Sequence, residues 1–142
     1  MTPPDWAIAL EAAPDPAMRD AIMKPLRAHN VAAAGDSGSV PLVVTVRDAA
    51  GEITGGLWGY TFYGYLFVEL LAMGEARGQG AGTAVMQLAE AEAVRRGCVG
   101  IWLDTFTFQA PGFYQKLGFT EVGRVEDHPP GHARIFYAKR LR

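Results

Sequence analysis

The chain has a single cysteine, Cys98, among its 142 residues. That excludes an intrachain disulfide framework and any zinc site built from cysteines. Charge is scarce as well: the charged residues make up 20% and leave a net charge of −2, so no basic face marks a nucleic-acid partner. No apolar run reaches the roughly 20 residues of a membrane-spanning helix. The closest approach, residues 57–73, is interrupted by Gly59, Gly64 and Glu69 and reads as two buried strands. The start, MTPPDW, lacks the charged and apolar regions of a signal peptide. These absences lead us to expect a cytoplasmic protein with neither membrane nor nucleic-acid partner. What is present is an apolar fraction of 49%, ordinary for a globular protein. The length suits one domain over residues 1–142, large enough to bury a core without covalent staples.

Along the chain, Trp6 to Glu11 alternates and reads as a first strand. Asp15-Pro16 then opens a helix with a cap and a first-turn proline. Met18, Ile22 and Leu26 give that helix an apolar stripe, and Pro25 is expected to divide it into two pieces before Ala34. Three strands follow, Leu42–Arg47, Ile53–Tyr63 and Tyr65–Met73, joined by short turns as an antiparallel meander. From Gly80 to Arg96, Ala81, Ala84, Val85, Leu88, Ala91 and Val94 recur at helical spacing, and Gly97 stands where a helix ends. Glu92 and Arg96 are four apart in the favourable order. Val99–Phe106 reads as a strand, Pro111–Leu117 as a short helix, and Phe119–Val125 and Arg134–Ala138 as the last strands. The aromatic run Trp58, Tyr60, Phe62, Tyr63, Tyr65 and Phe67 reads mostly as sheet core. The long helix separates two strands far enough for them to run parallel. The fold class is α/β (α+β), with a central mixed, mostly antiparallel sheet flanked by helices.

One segment carries chemistry. Arg77-Gly78-Gln79-Gly80-Ala81-Gly82-Thr83 joins a strand to a helix. A glycine-rich turn exposes backbone N–H groups, and the helix start adds about half a positive charge. Together they suit a phosphate, with Arg77 as a cation at the edge. A P-loop requires Gly-Lys-Ser/Thr after four intervening residues, and no lysine follows these glycines. The dinucleotide fingerprint G-x-G-x-x-G fails too, because position 83 is threonine.

A third pattern matches. Arg77, Gly80 and Gly82 fit Q/R-x-x-G-x-G/A, and Ala110-Pro111-Gly112-Phe113-Tyr114-Gln115-Lys116-Leu117-Gly118-Phe119 fits A-x-x-F-Y-x-K-x-G-F. The two motifs, in this order and separated by a helix and a strand, resemble the GNAT superfamily of acyl-CoA-dependent N-acetyltransferases. The element order is similar to that fold as well. The string from Asp104 to Ala110 resembles that of a bacterial subgroup of small members. The resemblance implies that acetyl-CoA lies where the parallel strands 65–73 and 99–106 splay apart. The backbone of Leu71 and Met73 would pair with its pantetheine arm, and Arg77, Gly78, Gln79, Gly80, Gly82 and Thr83 would hold its pyrophosphate. Many members carry asparagine three residues before the motif alanine, against that arm. This chain has Thr107 there.

The implied reaction is acetyl transfer to a primary amine of a small molecule, or of a peptide, by direct attack. The rivals are an acyl-CoA-binding module without turnover and a nucleotide-binding protein using the same turn. An ammonium with a pKa near 10.4 must lose a proton before it attacks. Glu69 is the expected base, placed by strand alternation on the face of Leu71 and Met73. Tyr114, the tyrosine of the F-Y pair, is the expected acid. Simpler roles stand beside these: a solvated carboxylate for Glu69 and a core aromatic for Tyr114. Asp104 reads as a structural hydrogen-bonding residue, and Cys98 as a small core residue. His128 and His132 stand in a proline-rich loop and are too few to suggest a metal. His29 and Asn30, after the first helix, are candidates for the acceptor side. Relatives in this superfamily often form homodimers, which nothing in the sequence requires.

Overall fold

A computed structural model describes residues 5–142. The chain separates between Ser37 and Gly38 into two units. The first carries helix α1, Pro16–Ala34. Asp15 caps it, its side chain accepting from the Met18 N–H at 3.2 Å, and Pro16 opens the first turn. Pro25 does not divide the helix, contrary to the sequence reading. The ring removes one N–H, the bond to the Ala21 carbonyl, and at this exposed position the turns on either side continue. The stripe of Met18, Ile22 and Leu26 is not buried: α1 has no buried residue. The expected strand Trp6–Glu11 is absent too. Those residues are exposed and join no ladder, and a short strand without a partner is not stable.

The second unit is a six-stranded sheet with two helices. The strands are β1 (Val40–Arg47), β2 (Ile53–Phe62), β3 (Tyr65–Ala72), β4 (Gly100–Phe106), β5 (Thr120–Glu126) and β6 (Ala133–Arg140). Their order across the sheet is β1-β2-β3-β4-β6-β5. Every neighbouring pair is antiparallel except β3 and β4, which are parallel, as the spacing predicts. Helix α2 (Ala81–Arg95) makes the crossover between those two, and α3 (Pro111–Lys116) follows β4.

Helix α2 buries Val85, Met86, Ala89 and Ala93 in one cluster with Leu42, Leu57, Leu66, Val68, Ile101 and Leu103. The buried stripe is therefore rotated from the expected one. Leu88 and Val94 are exposed, while Val85, Met86, Ala89 and Ala93 share the face that meets the sheet. The aromatic run is not core either. Trp58, Tyr60, Phe62 and Phe67 alternate with the buried Leu57, Thr61, Leu66 and Val68, so they stand on the other face of the sheet. There Phe67 stacks on Trp102 with ring centres 4.2 Å apart.

Arg96 fastens the far end of α2. Its guanidinium donates to the carbonyls of Val40 (3.2 Å) and Pro41 (3.0 Å), to the buried Thr61 hydroxyl (3.1 Å) and to Glu92 (2.7 Å). Hydrogen bonds from the Arg95 and Arg96 side chains hold the Glu92 carboxyl down at about 2. A depressed carboxyl stabilises the fold above its ordinary pKa near 4.5 and loses that contribution as pH falls toward 2. Arg96→Met is expected to destabilise the protein by about 2 kcal/mol in urea unfolding at pH 7, with Glu92→Gln having a smaller effect. The difference between wild type and Glu92→Gln should shrink as pH falls from about 4.5 to about 2.

Candidate active site

The parallel pairing of β3 with β4 is brief. It runs from Tyr65↔Gly100 to Val68↔Leu103 and stops. Beyond that point β3 stays paired with β2 through Ala72↔Gly56, and β4 stays paired with β6 through Phe106↔Arg134. The two strands therefore part, and a cleft of about 790 Å³ opens between them. Glu69, Leu71, Ala72 and Met73 line one wall, and Asp104, Thr105 and Gln109 the other. Arg77, Gly78, Gly80, Gly82 and Thr83 line it as well, with Phe113 and Tyr114 of α3.

The glycine turn is built from two different constraints. Gly78 and Gly80 both have φ of +79°, and a side chain there would meet open space. They are glycine for backbone conformation. Gly82 has no such φ, but a Cβ there would sit 3.1 Å from the Phe113 ring. It is glycine because α2 and α3 approach closely. Gly80 caps α2 without any side-chain hydrogen bond. The N–H groups of Gly78, Gly80, Ala81, Gly82 and Thr83 have no partner among the described residues. A serine or aspartate cap would consume one of them. The helix start is left as an array of open donors with Arg77 beside it, a donor set that fits a pyrophosphate.

Glu69 stands at the fork. The register passes from Gly59↔Val68 to Trp58↔Leu70, so Glu69 is a bulge residue with no partner on β2. Counting by twos does not carry across this bulge, so the alternation argument for its face is corrected. Its place in the cleft rests on the bulge and on the opening of the strands. Glu69 is exposed and makes no ion pair among the described residues.

Tyr114 is 9% exposed. Its ring packs against Phe113, Phe119 and Tyr137 at 5.2, 6.0 and 6.0 Å. Its hydroxyl has no hydrogen-bond partner among the described residues and is not sealed from the cleft. Burial first, and the Asp104 charge second, push its pKa up to about 12. Asp104 is engaged by Arg134 at 2.8 Å, the structural role expected of it.

Two residues tied to the cofactor by resemblance do not line the cleft. The Gln79 amide reaches the Glu75 carbonyl at 3.4 Å. The Thr107 hydroxyl accepts from the Ala133 N–H at 3.0 Å and lies 3.4 Å from His132 Nδ1. His128 and His132 stand edge-on to Phe106 and Phe108. His29 and Asn30 belong to α1, in the other unit. Cys98 is buried in the core, where desolvation raises its thiol pKa. The sequence reading missed Gln109 and Phe113 as lining residues. Both lie within or beside the second motif, and only the approach of α3 to the glycine turn brings Phe113 to the cleft.

A tyrosine whose folded pKa lies above its ordinary 10 contributes stability below pH 10 and loses it as pH rises through about 12. Alkaline unfolding should therefore steepen between about pH 10 and 12 in wild type and less so in Tyr114→Phe. Tyrosinate absorbance should show one late-ionising group that the variant lacks.

The comparisons with known proteins agree with this geometry. The sequence model of the acetyltransferase (GNAT) family matches residues 6–119. An acetyltransferase of Agrobacterium fabrum is 39% identical over 122 residues, covering 85% of this chain and 89% of its own. The blasticidin-S acetyltransferase of Streptomyces morookaense is 41% identical over 93 residues, covering 64% of this chain and 68% of its own. The crystal structure of an acetyltransferase from Agrobacterium tumefaciens superposes with a TM-score of 0.90 at 36% identity, over 96% of this chain and 100% of that one. With its parted parallel strands, open helix start and both motifs, this chain belongs to the GNAT family of acetyltransferases.

Proposed function

We propose that the protein is a cytoplasmic N-acetyltransferase that moves an acetyl group from acetyl-CoA to a primary amine of a small molecule. The carrying observation is the cleft at the fork of β3 and β4, with five open backbone donors and Arg77 at one end and the free Tyr114 hydroxyl along its wall. The small-molecule acceptor is supported by the relative named for an antibiotic, blasticidin S. Among the described residues no helix is long and apolar enough to cross a membrane.

Bound acetyl-CoA supplies the acyl group as an activated thioester. The amides of Gly78, Gly80, Ala81, Gly82 and Thr83, with Arg77, hold the pyrophosphate. The inner edge of β3 from Glu69 to Ala72 has lost its parallel partner, so its backbone around Leu71, and Met73 beyond it, is open to the pantetheine arm. Glu69 accepts the proton that the amine must shed, and its exposure lets it pass that proton to water. In the net reaction a nitrogen–acyl bond forms, the carbon–sulfur bond breaks, and one proton passes from nitrogen to sulfur. Tyr114 keeps its own proton near neutral pH, and a thiol ionises near about 8.5. Full transfer from Tyr114 to sulfur is therefore uphill. Its role is to donate a hydrogen bond to the charge growing on sulfur. Most of the acceleration comes from holding two substrates together.

Calorimetric titration with acetyl-CoA tests this reading, with ATP and NAD as controls. Wild type should bind acetyl-CoA more tightly than either control. Gly80→Asp should weaken binding at least about tenfold, because it puts a carboxylate among the phosphate donors. Aspartate tolerates the left-handed backbone, and the space at Gly80 is open, so the variant should fold. Tyr114→Phe should bind normally and lose about 10²-fold in kcat, read as CoA thiol release with an amine panel. A folded protein that does not bind acetyl-CoA contradicts the proposal.

A further inference from the structure

The β4 wall of the cleft ends in a short segment that holds one polar side chain in a fixed posture. Gln109 lines the cleft. Its Oε1 accepts from the Phe106 N–H at 2.9 Å and from the Thr105 hydroxyl at 2.8 Å. A backbone N–H can only donate, so the limb facing Phe106 must be the carboxamide oxygen. Thr105 is 4% exposed, so the anchor is part of the buried sheet. The other limb, Nε2, has no partner among the described residues. Gln109 therefore presents two N–H donors from a side chain whose position is already paid for by the end of β4. Thr107, two residues earlier, has its hydroxyl engaged with Ala133 and His132.

The chemistry of this group narrows what it meets. A carboxamide NH₂ donates, so it suits a carbonyl oxygen and does not attract an ammonium. The phosphate donors stand on residues 77–83, beyond the opposite wall, whereas Gln109 follows β4 and precedes Tyr114 by five positions. Between those two ends lies the stretch of cofactor that carries amide carbonyls. We propose that Gln109 binds the pantetheine arm of acetyl-CoA, its Nε2 donating to an arm carbonyl while Oε1 stays locked to β4. This rests on acetyl-CoA being the cosubstrate.

The test separates the two halves of the side chain. Gln109→Glu keeps an oxygen for Phe106 and Thr105 but removes the donors. Gln109→Ala removes both. Each is titrated calorimetrically with acetyl-CoA, and with a nucleotide that carries the ribose phosphate and pyrophosphate of CoA but no arm. Salt is held near physiological strength, where charges more than about 8 Å apart are screened. Thermal melting checks that each variant is folded. Both variants should bind acetyl-CoA about five- to tenfold more weakly and bind the armless nucleotide like wild type. If Gln109→Glu binds acetyl-CoA like wild type, Gln109 is only a strand cap and the proposal is overturned. Equal weakening toward both ligands also overturns it, because the effect would then act through the cradle or the fold. If wild type binds the armless nucleotide but gains nothing from the arm, this inference fails while the cradle stands. If wild type binds neither ligand, the functional reading fails first.

Discussion

The site depends on one feature of the sheet: β3 and β4 pair only briefly and then part. Each strand is claimed on its outer side, β3 by β2 as far as Ala72 and β4 by β6 as far as Phe106. Their mutual pairing ends at Val68↔Leu103. Backbone groups in a sheet interior are normally all paired. Here the inner edges beyond the fork are left open, which is costly unless water or a ligand satisfies them. The bulge at Glu69 falls just past the last parallel pair, where a change of strand direction is needed.

The rest of the site is hung on that opening. Helix α2 must leave the end of β3 and return to β4, so its N-terminus lies at the mouth of the cleft. The absence of a capping side chain leaves the donors there uncommitted. Gly82 lets Phe113 approach, which brings α3 and Tyr114 to the same cleft. Arg96 fixes the other end of α2 to β1 through the Val40 and Pro41 carbonyls and to β2 through the Thr61 hydroxyl. A helix anchored at its C-terminus and open at its N-terminus offers a rigid edge to a phosphate.

The sheet was legible in the sequence because β1 to β6 carry strong local patterns and short turns. The glycine turn was legible because its residue types are set by backbone conformation and close approach, and the F-Y motif was legible through the family resemblance. What failed were inferences that needed a tertiary partner. Trp6–Glu11 alternates, yet alternation does not supply a neighbouring strand. Pro25 should interrupt a helix, but the loss is one hydrogen bond at an exposed turn. Leu88 and Val94 follow helical spacing as well as Val85 does, and only the sheet decides which face is buried. The aromatic run reads as core because aromatics favour strands, while the alternation that places it on the second face depends on the position of α2. The bulge at Glu69 left no mark in composition. Gln109 was overlooked because a glutamine before a helix gives no signal until Thr105 and Phe106 are seen to hold its oxygen.

Hydrogen–deuterium exchange, with and without acetyl-CoA, tests the central claim most directly. The amides of Gly78 and Gly80 to Thr83 are unpartnered and should exchange fast in the free protein, and the inner edge of Glu69–Ala72 should be only weakly protected. Acetyl-CoA should slow both segments together and leave β5 and β6 unchanged. Protection confined to another surface, or none at saturating acetyl-CoA, would contradict the account.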